Sequence, residues 1–138
     1  MRHRMRGRRL GRSTSHRRAL ARNLVSSLFL HGRVETTQAK AKEYKAMAEK
    51  LVTLARTKDL HRVRQAVATL GNKTAVRILF DEIGPSMQGR PGGYTRILKL
   101  GKPRLGDKGP RVYWELVNYV PTAAAAAADA PEDAAADD

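Results

Sequence analysis

The sequence predicts an α+β domain running helix, strand, three helices, two strands, set between a basic arm and an acidic, alanine-rich tail. Three observations carry that prediction. Four segments repeat apolar residues every three or four positions, as a helix with one buried face requires. Three short segments have the residue types of strands, the first of them alternating. Glycine and proline stand where one pattern gives way to the next, at Gly32, Gly71 and Gly84-Pro85. The chain has 138 residues, the size of one domain, and 41% of them are apolar. A domain of that size buries roughly two thirds of the surface its unfolded chain exposes, so a core can form. Residues 1–121 are read as that domain, 1–12 as its arm and 122–138 as the tail.

Residues 1–12, MRHRMRGRRLGR, hold six arginines and no acid. Such a segment buries too little apolar surface to order itself, so it is expected to take shape on a partner. Ser13-Thr14-Ser15 then offers hydroxyls to the first free amides of a helix. Leu20, Leu24 and Leu28, with Ala21 and Val25 beside them, form its apolar stripe, and Gly32 its left-handed stop. Arg17, Arg18 and Arg22 fall largely off that stripe, giving the helix a cationic flank. Residues 33–37, RVETT, read as a brief strand. Thr37 is placed to cap a long helix over about residues 38–56, with Tyr44, Met47, Ala48, Leu51, Leu54 and Ala55 inward.

Asp59 opens a third helix with Leu60, Val63, Val67 and Leu70 inward, stopped by Gly71. Asn72 opens a fourth, with Val76, Leu79, Phe80 and Ile83 on one face, ended by Gly84-Pro85. Short turns between these helices make neighbours pack together. Residues 84–93 read as loop, 94–100 and 112–119 as strands, and 101–110 as a hairpin loop carrying Lys102, Arg104 and Lys108. Trp114 and Leu116 share one face of the last strand and are the sheet's candidates for the core. The tail, six alanines followed by Ala, Asp, Glu and Pro, has no stripe to dock and is expected to be disordered.

Charge is the strongest functional clue. The chain has 27 basic and 13 acidic residues, a net of +14, and five of the acids lie in the last seventeen residues. Residues 1–121 therefore set 27 cations against eight acids, a net of +19. A body that positive repels itself until a polyanion neutralises it. Nucleic acid is the usual one, since each neutralised phosphate releases a condensed counterion. An anionic membrane surface competes, but it needs an apolar face to insert. The longest nearly apolar run, Leu24 to Leu30, is broken by Ser26 and Ser27 and is far short of a span. An organelle transit peptide is disfavoured because the arm enters a capped helix with no small-residue cleavage site.

Catalytic constellations are missing. There is no cysteine, hence no disulfide and no thiolate metal ligand. His3, His16, His31 and His61 are scattered and make no zinc pair, so no metal and no cofactor is expected. Asp81-Glu82 is the one adjacent acidic pair before the tail, and a solvated pair explains it. Gly89-Arg90-Pro91-Gly92-Gly93 lacks phosphate-loop spacing. No enzyme and no small-molecule substrate is read from this chain, although a metal-free nuclease using His and Lys remains the enzymatic alternative.

The basic residues are of another order. Residues 1–34 contain no acid, so pairing with Glu cannot explain their charge. Arg forks hold phosphates bidentately and stack on bases, and Arg-rich segments commonly fold on RNA. Lys40, Lys42 and Lys45, then Lys58, His61, Arg62 and Arg64, then Arg90, Arg96 and Lys99 continue the supply. For those groups solvation alone explains the charge as well as RNA contact does. No later helix concentrates base-reading side chains as a DNA reader needs. That favours recognition of folded RNA through shape and backbone.

The stretch SHRRALARNLVSSLFLHGRVETTQAKAKEYKAMAEKLVTLAR, with the arm before it, resembles bacterial large-subunit ribosomal protein seventeen. The likeness continues through DLHRVRQAV, LFDEIGP, GGYTRILKLG and ELV, and covers about residues 1–120. It implies a two-layer α/β domain that contacts the large ribosomal RNA and neighbouring large-subunit ribosomal proteins near the polypeptide exit, in the cytoplasm. Carried over by position, it implies RNA contact by Arg2, His3, Arg4, Arg6, Arg8, Arg9 and Arg12 of the arm. His16, Arg17, Arg18, Arg22, His31, Arg33, Thr36, Thr37, Lys40, Lys42, Tyr94 and Arg96 complete the expected set, Arg22 through its place on the cationic flank. Gly109 to Trp114 departs from the family's small, apolar pattern there. A free nucleic-acid-binding regulator is the remaining non-enzymatic alternative.

Overall fold

A computed structural model describes Met1, His3 and residues 7–122. Within them the fold is α+β: four main helices and a three-stranded sheet in the expected order. Helix α1 spans Thr14–His31, with the Ser13 hydroxyl accepting from the His16 N–H at 3.4 Å. Gly32 ends it at φ 71°, its N–H donating to the Leu28 carbonyl at 2.8 Å. Strand β1 follows immediately at Arg33–Thr37, then α2 at Gln38–Ala55. Thr37 takes the capping position, yet its hydroxyl makes no capping bond. Helix α3 spans Leu60–Leu70 and stops at Gly71, φ 72°. Helix α4, Lys73–Ile78, is capped by the Asn72 side chain, which accepts from the Ala75 N–H at 3.0 Å.

The end of this last helix differs from expectation. It does not stop at Gly84-Pro85 but widens into a π-helical segment, Leu79–Ile83, and runs on through Gly84–Ser86. The Gly84 N–H reaches back five residues to the Leu79 carbonyl, the wide turn that lets a helix absorb an irregularity. Pro85 sits at the start of the final turn, where its missing N–H costs little. Gly84 is needed for packing: a Cβ there would lie 2.4 Å from the Ala55 carbonyl oxygen.

Strands β2, Thr95–Lys99, and β3, Arg111–Leu116, are shorter than expected, and β3 begins one residue earlier. β3 stops where Asn118 turns to φ 55°. The sheet order is β1-β3-β2, antiparallel throughout. Its inner face packs on α1 and α2. Trp114, Val112 and Leu116 lie there, with Val25, Leu28, Phe29, Val52, Leu79 and Ile83.

Core membership follows the expected faces with a small rotation. On α1 the buried line is Ala21, Val25, Leu28 and Phe29, while Leu20 and Leu24 are half-buried beside it. Met47 and Leu54 of α2, and Val63 and Val67 of α3, are likewise half-buried. Leu60, expected inward, is 63% exposed, because it opens α3 before the helix meets α2.

Candidate nucleic-acid interface

Two groups of cationic residues lie at the two ends of α1. At its N-terminus the chain from Arg8 to Arg12 folds back in a turn, with the Arg12 N–H donating to the Arg9 carbonyl at 3.1 Å. Leu10 and Gly11 take left-handed backbone there, at φ 53° and 61°. Leu10 packs against the core, and the Arg8 N–H donates to Glu43 Oε2 of α2 at 3.0 Å. Arg17 braces the turn: its Nη1 donates to the Arg12 carbonyl at 3.2 Å and its Nη2 to Thr14 Oγ1 at 3.4 Å. Tyr44 Oη donates to the Arg17 carbonyl at 3.3 Å, tying α2 to the same place. Burial raises the Tyr44 pKa, as does the nearby Glu43 charge, while Arg12 and Arg17 oppose the shift. The result is a fixed cationic knuckle beside the positive end of the α1 dipole, a suitable seat for anions.

The second gathering lies at the other end of α1, where the sheet turns its outer face to solvent. The register sets Arg33 of β1 and Arg96 of β2 on either side of Glu115 of β3. Arg33 Nε donates to Glu115 Oε2 at 2.6 Å, and Arg96 Nε donates to Oε1. Glu115 is only 4% exposed, covered by the two side chains it binds. Burial alone would raise its pKa; the hydrogen bonds and charges of Arg96 and Arg33 outweigh that and hold it below the usual carboxylate range. The Arg33 guanidinium also sits 4.9 Å from the centre of the Tyr113 ring, within cation–π range. Arg111 pairs with Glu35 on the same face. An eighteen-residue helix separates the two clusters by roughly 27 Å.

The other expected contact residues are placed as follows. Arg8, Arg9, His16, Arg18, Arg22 and Lys42 are exposed; Arg12, Arg17 and Lys40 are half-buried. His31 is exposed at the end of α1 beside Arg33 and Arg96. Thr36 and Thr37 are half-buried at the junction of β1 and α2. Tyr94 is a correction. It is 2% exposed, its ring belongs to the core, and its hydroxyl lies 3.5 Å from Thr53 Oγ1 and Arg56 Nη1. Burial follows from its position one residue before β2, where the chain passes under α2. Arg2, Arg4 and Arg6 lie outside the described residues.

Sequence reading noted Arg111 only within the atypical segment of residues 109–114 and missed Glu115 and the ring contact of Tyr113. Alternation places all three opposite Trp114 on β3, which was a usable signal, but their partners depend on sheet register. Among the described residues no group of three or more His, Asp or Glu could hold a metal ion. No described helix is long and apolar enough to cross a membrane.

Comparison with known proteins gives a consistent answer. The sequence model of a family described as ribosomal protein L17 matches residues 20–117. The large ribosomal subunit protein bL17 of Nitratidesulfovibrio vulgaris is 52% identical over 130 residues, covering 94% of this chain and 98% of that protein. The bL17 protein of Rubrobacter xylanophilus is 50% identical over 119 residues, covering 86% and 98%. That of Geobacter sulfurreducens is 55% identical over 117 residues, covering 85% and 66%.

Proposed function

The chain belongs to the ribosomal protein L17 family, and from that premise we propose that it is a structural constituent of the large ribosomal subunit which binds and organises the large ribosomal RNA. It works in the cytoplasm as part of the ribosome, alongside neighbouring large-subunit proteins, and catalyses no reaction. Residues 1–121 act as one unit, with the arm of residues 1–12 entering RNA and the tail lying beyond the domain. A place near the polypeptide exit is part of the same proposal, and the family resemblance alone supports it.

The observation that carries RNA binding is the placing of two cationic clusters at opposite ends of one rigid helix. A protein that grips RNA at two points roughly 27 Å apart holds two backbone segments in fixed relation, which is what a scaffold does. The net charge of +19 on residues 1–121 supports the same reading, since phosphate contacts supply most of such affinity. The RNA-facing set is the arm, the exposed cations of α1, Lys40 and Lys42, and His31 with Arg33 and Arg96.

Sedimentation tests it. The tagged protein, expressed in its native cell, should co-migrate with large subunits and whole ribosomes at close to one copy each, and survive a high-salt wash. Recovery only at the top of the gradient would reject the assignment and favour a free RNA-binding regulator. Turnover of added RNA would favour an enzyme.

A further inference from the structure

On the outer face of the sheet, the arrangement around Glu115 is too specific to be a solvated charge cluster. Two arginines from different strands share one buried carboxylate, each through Nε. A guanidinium is planar, so engaging Nε turns the edge formed by its two Nη atoms away from the carboxylate. Among the described residues neither of these Nη pairs donates to a protein acceptor. Both side chains remain more than half exposed, at 55% and 56%. Beside them opens a pocket of about 360 Å³, lined by His31, Arg33, Arg96, Glu115, Asn118 and Tyr119 among others. That volume lies in the range of small-ligand sites.

We propose that this pocket seats one phosphodiester of the bound RNA, gripped by Arg33 and Arg96, with Glu115 as the positioning residue that aims both guanidiniums. The inference deepens the RNA-binding reading and rests on it. Charge decides the occupant: the three side chains carry a net of one positive charge, on a body whose described surface is dominated by cations. An isolated surface arginine loses much rotamer freedom when it closes on a phosphate. Here Glu115 holds both, and the Tyr113 ring backs one of them, so that cost is met on folding. A carboxylate would ordinarily repel phosphate. This one is covered, and each of its oxygens is already engaged by a guanidinium.

The test is equilibrium binding of the full chain to purified large-subunit ribosomal RNA over a range of salt. Glu115→Gln adds one positive charge overall, so long-range attraction alone would tighten binding. A positioning role requires the opposite, a loss of roughly tenfold. Equal or tighter binding overturns it. In the triple variant Arg33→Gln, Glu115→Gln, Arg96→Gln, the slope of log affinity against log salt should flatten by about one, the share of one phosphate. An unchanged slope overturns the grip.

Independently of any variant's folding, wild-type protein can be treated with an arginine-directed reagent, with and without RNA. Protection of Arg33 and Arg96 by RNA is expected, and absence of protection overturns the site. Equal protection by inorganic phosphate alone would make a free anion the ligand and overturn the RNA assignment. Wild-type protein that binds no RNA at any salt removes the broader RNA-binding reading, whereas normal wild-type binding with unaffected variants removes this site only.

Discussion

Trp114 is fully buried on the inner face of β3, and its Nε1 finds no hydrogen-bond partner among the described residues. Its value to the fold is therefore packing. Trp114→Ala should cost about 3–5 kcal/mol in a denaturant unfolding curve, while Trp114→Phe, which keeps a ring and drops the unpaired donor, should cost clearly less. An unchanged midpoint in the alanine variant would remove Trp114 from the core. Glu115, next in sequence, faces the other way and is governed by charge. Its pKa is lower in the folded chain than the usual 4.5, so the folded state binds that proton less readily than the unfolded state. Ionised Glu115 thus adds stability above the usual range, and the contribution disappears as pH falls through the lowered value. Acid unfolding below about pH 4 should be shallower in Glu115→Gln than in wild type. Parallel acid limbs in the two proteins would contradict the coupling.

Among the elements, the end of α4 shows how packing overrules a local stop signal. Gly84-Pro85 reads as a terminator, yet the helix continues because Gly84 lets it press against the end of α2. Gly84→Ala places a methyl group 2.4 Å from the Ala55 carbonyl oxygen, which backbone must move to accommodate. A loss of roughly 1–3 kcal/mol is expected by thermal or chemical denaturation, although alanine is the better helix former in isolation. A stabilised variant would mean that the close approach of Gly84 to the end of α2 is absent in solution. The turn before α1 is a second case. Its left-handed Leu10 is held by packing and by Arg12, whose Nη1 donates to the Leu10 carbonyl at 2.7 Å, while Arg17 braces the Arg12 carbonyl. The hairpin loop between β2 and β3 is similarly fixed, by the Arg104–Asp107 ion pair and the Gly109 N–H donating to Asp107 Oδ1 at 3.1 Å.

At the scale of the whole molecule, the helices cover one face of the sheet and leave the other open. This separates the two demands on the chain. Aliphatic residues between the layers make it rigid, while cations at the ends of α1 and on the open face stay at the surface, where the proposed RNA contact needs them. Deleting residues 1–12 keeps the Ser13 cap, so the domain should remain folded by circular dichroism, with a small loss from the packing of Leu10. RNA affinity should fall sharply, and the salt slope should flatten by a little under one for each phosphate the arm neutralised. Affinity equal to that of the full chain would show that the arm takes no part.

By itself the sequence determined the order and nearly all the positions of the elements, because periodicity and caps such as Ser13, Gly32, Gly71 and Asn72 are local signals. It also determined the strongly basic charge from which a polyanionic partner is proposed, because charge is additive along a chain whatever its fold. Tertiary structure alone decided which cations act together. Arg33, Arg96 and Glu115 are up to 82 residues apart in sequence, and only the β1-β3-β2 register brings them into one cluster. It also moved Tyr94 from the expected contact surface into the core and left Leu60 outside it. Burial depends on what a neighbouring element covers, and a pattern read along one segment contains no information about its neighbour.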